Sequence, residues 1–280
     1  MSRIEKALEK AIHLRGGKPP AVEERKQFRA EPQSQQRAAS SMVSIDTANR
    51  MLPTVTDPHS VVSEQYRKLK STLVRITSDD AFHNLIMVTS AVAGEGKSLT
   101  AANLAISIAQ EFDLTVLLID ADLRRPTIHR LFGFEPQLGL SDCLLAGVDQ
   151  ADAIVRTSID KLSIMPAGHE VENPLELFTS KTMLDLFTDI KHRYSDRYVI
   201  VDTPPLLPFA ESRALAHLVD GVVLVIREGV TLQDSIIEVK DLLKGCPVLG
   251  VVLNDSTSID EEAAHYSTYY YKSAGSIAQR

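Results

Sequence analysis

The run Ala-Val-Ala-Gly-Glu-Gly-Lys-Ser at residues 91–98 constrains this chain more than any other segment. It follows a short apolar stretch, LIMVTS at 85–90, and opens into SLTAANLAISIAQE, a helical pattern. A strand, a glycine turn and a helix in that order form a cradle for a phosphate. Gly94 and Gly96 let backbone N–H groups turn inward and approach anionic oxygens. The helix that follows points the positive end of its dipole at the same place. The expected ligand is therefore the phosphate chain of a nucleotide, held along Ala93, Gly94, Glu95, Gly96, Lys97, Ser98 and Leu99. Lys97 is expected to reach the β- and γ-phosphates, and the Ser98 hydroxyl to ligate Mg²⁺. Ala91 stands where the general pattern GxxxxGK[ST] carries its first glycine.

The rest of the chain supplies a setting for such a loop. Further apolar runs occur at 115–120, 162–167, 198–203, 221–227 and 248–254, each short and β-branched. They are apolar on both faces, the pattern of strands covered by helices on either side. Helical patterns at 98–111, 174–193, 210–218 and 231–244 separate them, and VVSEQYRKLKSTLVRI precedes them. Repeated βα units predict an α/β fold with a mostly parallel sheet and helices on both faces.

Strand ends in such a sheet collect ligands. Asp120 and Asp122 in LLIDADLRRP, and Asp202 in YVIVDTPP, are placed there. Mg²⁺ takes one or two carboxylates besides water and phosphate, so a third is left free to accept a proton from an attacking hydroxyl. Each aspartate taken alone could instead cap a helix; three at strand ends beside a phosphate loop point to chemistry.

These ordered segments resemble the bacterial tyrosine kinases of exopolysaccharide and capsule export, specifically their soluble cytoplasmic kinase part. AVAGEGKS is similar to the Walker A loop of that family, the DADLRRP segment to its second, family-specific Walker motif, and VIVDTPP to Walker B. RRPTIHRLFG, GLSDCLLAG and NPLELFTSKTM extend the likeness, which runs from about residue 60 to the C-terminus. The resemblance implies a P-loop NTPase fold and a protein-tyrosine autokinase using ATP and Mg²⁺. Asp120 would be the base, Asp122 and Asp202 would help hold the metal, and Asn254 would contact the adenine. Arg124 would meet a phosphate or a subunit boundary. A ring-shaped homo-oligomer is implied, in which one subunit phosphorylates the next. Glu64, Arg67 and Lys70 are similar to the family's Glu-x-x-Arg-x-x-Arg oligomerisation helix, with Lys in place of the last Arg. Lys does not reproduce bidentate carboxylate pairing. A membrane-bound polysaccharide chain-length regulator as activator, and an opposing tyrosine phosphatase, are the implied partners. The chain would then sit in the cytoplasm, drawn to the inner face of the plasma membrane by that partner.

Two features separate this reading from partition and septum-site ATPases, which share the fold, and from a nucleotide-dependent scaffold without kinase activity. The partition group carries an extra lysine in the pattern KGGxGK, and the aligned position here is Val92. Four of the seven tyrosines, Tyr266, Tyr269, Tyr270 and Tyr271, fall in the last 15 residues, as trans-autophosphorylation requires of an acceptor.

Charge and composition complete the domain plan. Residues 1–50 hold ten Lys/Arg against six Asp/Glu, whereas 51–280 hold 20 against 31. The acidic body speaks against a nucleic-acid-coating surface. Residues 2–14 repeat Ile4, Leu8 and Ile12 as a short amphipathic helix, and 15–57 are too polar to form a core, so they read as a disordered linker. The expected plan is a helix and linker at 1–57, a kinase domain at 58–258 and a flexible tyrosine-rich tail at 259–280. Two distant cysteines, Cys143 and Cys246, fit a reducing compartment, and no apolar run or signal sequence predicts a membrane span or secretion.

Overall fold

The computed structural model describes residues 42–44, 49–78 and 82–257. The helix expected at 2–14, most of the linker and the tyrosine tail lie outside the described residues.

Among the described residues, seven strands form one sheet: β1 (Leu85–Ser90), β2 (Thr115–Asp120), β3 (Val155–Arg156), β4 (Leu162–Met165), β5 (Arg197–Asp202), β6 (Gly221–Arg227) and β7 (Val248–Asn254). Their spatial order is β3-β4-β2-β5-β1-β6-β7. All neighbours run parallel except β3, a two-residue antiparallel edge on β4. The six longer strands coincide with the six apolar runs; β3 has no periodic signal to be read from.

The helices are α1 (Pro53–Thr56), α2 (Val61–Thr77), α3 (Lys97–Ala109), α4 (Ile128–Phe132), α5 (Leu140–Ala146), α6 (Gln150–Ala153), α7 (Pro174–Phe178), α8 (Lys181–His192), α9 (Ala210–Ala216) and α10 (Gln233–Leu242). The pattern at 174–193 divides in two because Ser180 accepts a hydrogen bond from Met183 N and starts a new helix.

Alternate residues of each central strand enter opposite cores. Ile86, Val88, Leu118, Ile200 and Val225 pack with Leu73 of α2, the buried α3, and Ile128 and Phe132 of α4. Met87, Leu117, Ile119, Val201 and Leu224 pack with Cys143, Phe178, Met183, Phe187, Leu215 and Val239 from the helices of the other face. Residues 100–109 of α3 are all buried, with Ala101, Ala102, Ala105 and Ala109 allowing close approach to the sheet on one side and α2 on the other. Full burial of each Leu, Ile or Val contributes roughly 1.5–3 kcal/mol, so the double-sided sheet is the main source of stability.

The packed body begins before residue 58, the boundary expected from composition. Leu52 is fully buried against the α3 face, and Thr54 donates its hydroxyl to Asn103 Oδ1 at 2.7 Å. Val43 pairs with Thr157 at the β3 edge. Composition misses this stretch because only Leu52, with the partly buried Val55, enters the larger core, while Met42 and Met51 stay exposed.

Candidate functional site

The parallel register brings the candidate residues together. β5 lies between β1 and β2, and Asp120 and Asp202 are direct register partners at the carboxyl ends of their strands. The phosphate loop leaves the end of β1 beside them.

Gly94 and Gly96 adopt φ of +84° and +93°, the left-handed region that glycine enters without penalty. A side chain at Gly96 would collide with Asn254, whose Nδ2 donates to the Glu95 carbonyl at 2.9 Å. Glu95 is fully buried; its carboxylate accepts from Val92 N at 2.8 Å and from the Thr231 hydroxyl. Arg227, paired with Asp255, reaches the Gly94 carbonyl at 3.4 Å. The loops after β6 and β7 therefore grip the phosphate loop from one side. Val92 contributes its backbone N–H to this grip, at the position where the partition pattern has lysine.

Lys97 sits at the centre of the charges. Its ammonium donates to Asp122 Oδ2 at 2.8 Å and to the Ser98 hydroxyl at 3.1 Å, and lies 3.5 Å from Asp202 Oδ1. Burial disfavours the Lys97 charge, but Asp202 and Asp122 outweigh it and hold its pKa above the usual lysine value.

The three aspartates differ in environment. Asp120 is fully buried; Oδ2 accepts from Thr127 N and Ile128 N, both at 3.0 Å, and Oδ1 from Asp122 N at 3.2 Å. It thus also holds the start of α4, the capping role an isolated aspartate would play. Burial, then the charge of Asp202, pushes its carboxyl up to about 8, against the Ile128 N–H and Lys97. Asp202 is fully buried, and neither carboxylate oxygen has a hydrogen-bond partner among the described residues. Burial raises its pKa while Lys97 lowers it. Asp122 is buried and bonded to Lys97 and to Arg125 N.

An orphaned buried carboxylate, a hydroxyl and a second carboxylate around one ammonium fit a hard divalent cation such as Mg²⁺. The inward-turned glycine loop, with open space where a Gly94 side chain would lie, fits a phosphate chain.

The remaining expected residues lie apart from this cluster. Arg124 pairs with the buried Glu211 of α9, and its guanidinium lies over the Phe209 ring, 4.9 Å from the centroid. Neither a phosphate nor a subunit boundary is needed to hold it. On α2, Glu64 binds Arg67 at 2.6 Å, Arg67 also donates to the Pro58 carbonyl, and Lys70 pairs with Glu111 at the end of α3. Tyr266, Tyr269, Tyr270 and Tyr271 lie outside the described residues. Sequence reasoning missed Glu211, Thr231, Arg227 and Asp255. Glu211 lies 87 positions from Arg124, Arg227 and Thr231 lie 133 and 136 from Gly94 and Glu95, and Asp255 lies 28 from Arg227, so no local spacing links them.

A family model described as ParA: NUBPL iron-transfer P-loop NTPase matches residues 81–279. The tyrosine-protein kinase YwqD of Bacillus subtilis (strain 168) is 39% identical over 217 residues, covering 76% of this chain and 90% of that protein. The putative tyrosine-protein kinase CapB of Staphylococcus aureus is 32% identical over 216 residues, covering 76% and 92%. The crystal structure of the chimerical protein CapA2B2 superposes with a TM-score of 0.68 at 32% identity, over 77% of this chain and 94% of that one.

Proposed function

The chain belongs to the ParA-type P-loop NTPases and, among them, to the bacterial tyrosine-protein kinase family, and from that premise we propose that it transfers the γ-phosphoryl group of ATP to tyrosine. The acceptors in this reading are its own C-terminal tyrosines, modified between subunits of a homo-oligomer. The output is control of exopolysaccharide polymerisation and export, under a membrane-bound chain-length regulator and against a tyrosine phosphatase. The observation that carries the reading is the convergence of Asp120, Asp122 and Asp202 on Lys97 at the mouth of the phosphate loop.

Each residue takes a role from its environment. The loop amides and Lys97 bind the phosphate chain and place positive charge where the transferred group gathers negative charge. Ser98, Asp122 and Asp202, whose carboxylate faces Lys97 at 3.5 Å, would hold Mg²⁺, which when bound supplies charge neutralisation at the phosphates. Asp120, fixed by three backbone N–H groups, accepts the proton of the incoming tyrosine hydroxyl in its ionised form, the form that Lys97 and the Ile128 N–H favour against the burial that raises its pKa. Arg124 positions rather than reacts: through Glu211 and Phe209 it ties the segment bearing Asp120 and Asp122 to the one after β5. Asn254 braces the phosphate loop through Glu95, and in this reading it would also contact the adenine. Glu64, Arg67 and Lys70 stand on α2 as the proposed subunit contact.

Incubation of the purified chain with Mg·ATP, probed for phosphotyrosine, tests the reading. Asp120→Asn is expected to bind nucleotide and lose phosphotyrosine by about 10²-fold or more. Deletion of residues 266–280 is expected to remove the autophosphorylation signal while leaving nucleotide binding. Undiminished phosphotyrosine on Asp120→Asn would overturn the assignment of the base. A parent chain that hydrolyses ATP without making phosphotyrosine would favour a partition-type switch, and one that does neither would favour a scaffold.

A further inference from the structure

β7 closes one side of the sheet, and no strand among the described residues pairs with its outer edge. The opposite side ends differently: β3 has two residues, and Val43 bridges to Thr157 beside it. β7 has seven residues, none of them charged or proline. A long apolar edge of that kind is a template for a further strand. Val248, Val251 and Leu253 are about half exposed along it. Val62, Tyr66 and Leu69 of α2 and Val251, Val252 and Leu253 of β7 line one groove of about 430 Å³.

The chain itself supplies an occupant. After β7 it passes through Asp255 and Ser256, which also line the groove, to Thr257, whose N–H donates to the Glu228 carboxylate at 2.6 Å. Residues 258–280 continue from that point. Within them, Tyr-Ser-Thr-Tyr-Tyr-Tyr at 266–271 is uncharged and rich in residues that favour strands. Residues 258–265 can span up to about 26–29 Å, far more than the roughly 4.8 Å between neighbouring strands, so 266–271 can return antiparallel along β7. In such a strand Tyr269 and Tyr271 share one face and Tyr266 and Tyr270 the other. So short a tether sets an effective concentration in the millimolar range.

We propose that residues 266–271 dock in cis as an added strand on the outer edge of β7, with tyrosine rings in the groove beside α2. Docked, the tyrosines are withheld from the cleft of a neighbouring copy; released, they become its acceptors. A phosphate on a docked ring would bring about −1.5 to −2 charges against Val62, Leu69 and Val251, so the modified segment stays out. The docking stands on the open edge and the point where the chain leaves it; its consequence for phosphorylation rests on the kinase reading.

Amide hydrogen exchange on the monomeric fraction of the full, nucleotide-free chain tests the docking. Residues 266–271 are expected to exchange about tenfold or more slowly than the same sequence as a free peptide, equally at about 1 and 50 µM protein. Val251→Lys puts a charge on the edge and should return 266–271 to the free-peptide rate while β1 and β5 keep their protection. Tyr269→Ser/Tyr271→Ser should speed exchange in β7. Free-peptide exchange of 266–271 in the parent overturns the proposal. Protection that rises with protein concentration also overturns it, assigning the edge to a second copy. With Mg·ATP, Val251→Lys should form phosphotyrosine about three- to tenfold faster at first, because more of its tail is free. An unchanged rate despite lost protection overturns the withholding. If neither chain forms phosphotyrosine, the kinase reading fails, and the exchange rates still decide the docking.

Discussion

Asp202 shows how a single residue can trade stability for a site. Its carboxylate is fully buried without a hydrogen-bond partner, and its pKa, like that of neighbouring Asp120, is raised chiefly by burial. A carboxyl with a raised pKa keeps its proton in the folded chain over a pH range where the unfolded chain has lost it. Stability from this source is therefore present near pH 4 and declines as pH rises through the raised folded value, about 8 for Asp120. Asp202→Asn removes the buried charge, so its Tm should exceed that of the nucleotide-free parent by several degrees at pH 8, with the gap shrinking toward pH 5. The same variant should lose the stabilisation that Mg·ATP gives the parent. Scanning calorimetry at both pH values checks this; a gap that widens toward acid would contradict it. The identities of Asp120, Asp122 and Asp202 as site residues were legible from their places after apolar runs. Their different protonation was not, because it depends on which backbone N–H groups reach each carboxylate.

Glycine positions in the phosphate loop separate intrinsic from contextual constraint at the level of elements. Gly94 and Gly96 share positive φ, which costs an alanine about 1–2 kcal/mol at either position. Gly94 faces open space, whereas Gly96 faces the Asn254 side chain at the end of β7. Gly96→Ala is therefore expected to lower Tm by more than Gly94→Ala, and Asn254→Ala added to Gly96→Ala should recover part of the excess. Equal effects of the two glycine variants would reject the packing of β7 against the loop. The motif spacing identified the loop, but its grip by Thr231, Arg227 and Asn254 follows from β6 and β7 lying beside β1 in the sheet. The short helices α4, α5 and α6 escaped notice because four to seven residues hold too few turns for a 3.6-residue period to emerge.

At the scale of the molecule, the two cores are joined by one sheet, and residues 49–57 belong to one of them. Leu52→Ala should cost about 2–5 kcal/mol, as for other buried leucines. A chain starting at residue 58 should unfold at lower urea concentration than one starting at residue 42; coincident transitions would exclude that contribution. Charge acts at this scale too. Four phosphotyrosines would add roughly −6 to −8 to a formal net charge of −7. Phosphorylated oligomers are therefore expected to disperse toward monomers, and light scattering after size exclusion measures it; equal masses for the two forms would count against that. The amino-acid sequence by itself determined the class of fold and the phosphate loop, because local periodicity and glycine spacing are carried by contiguous residues. Only the tertiary structure decided that Asp120 and Asp202 are register partners, that Arg124 is taken by Glu211, and that Leu52 is core. Those facts depend on strand order and on contacts between residues far apart in the chain, which no local pattern encodes.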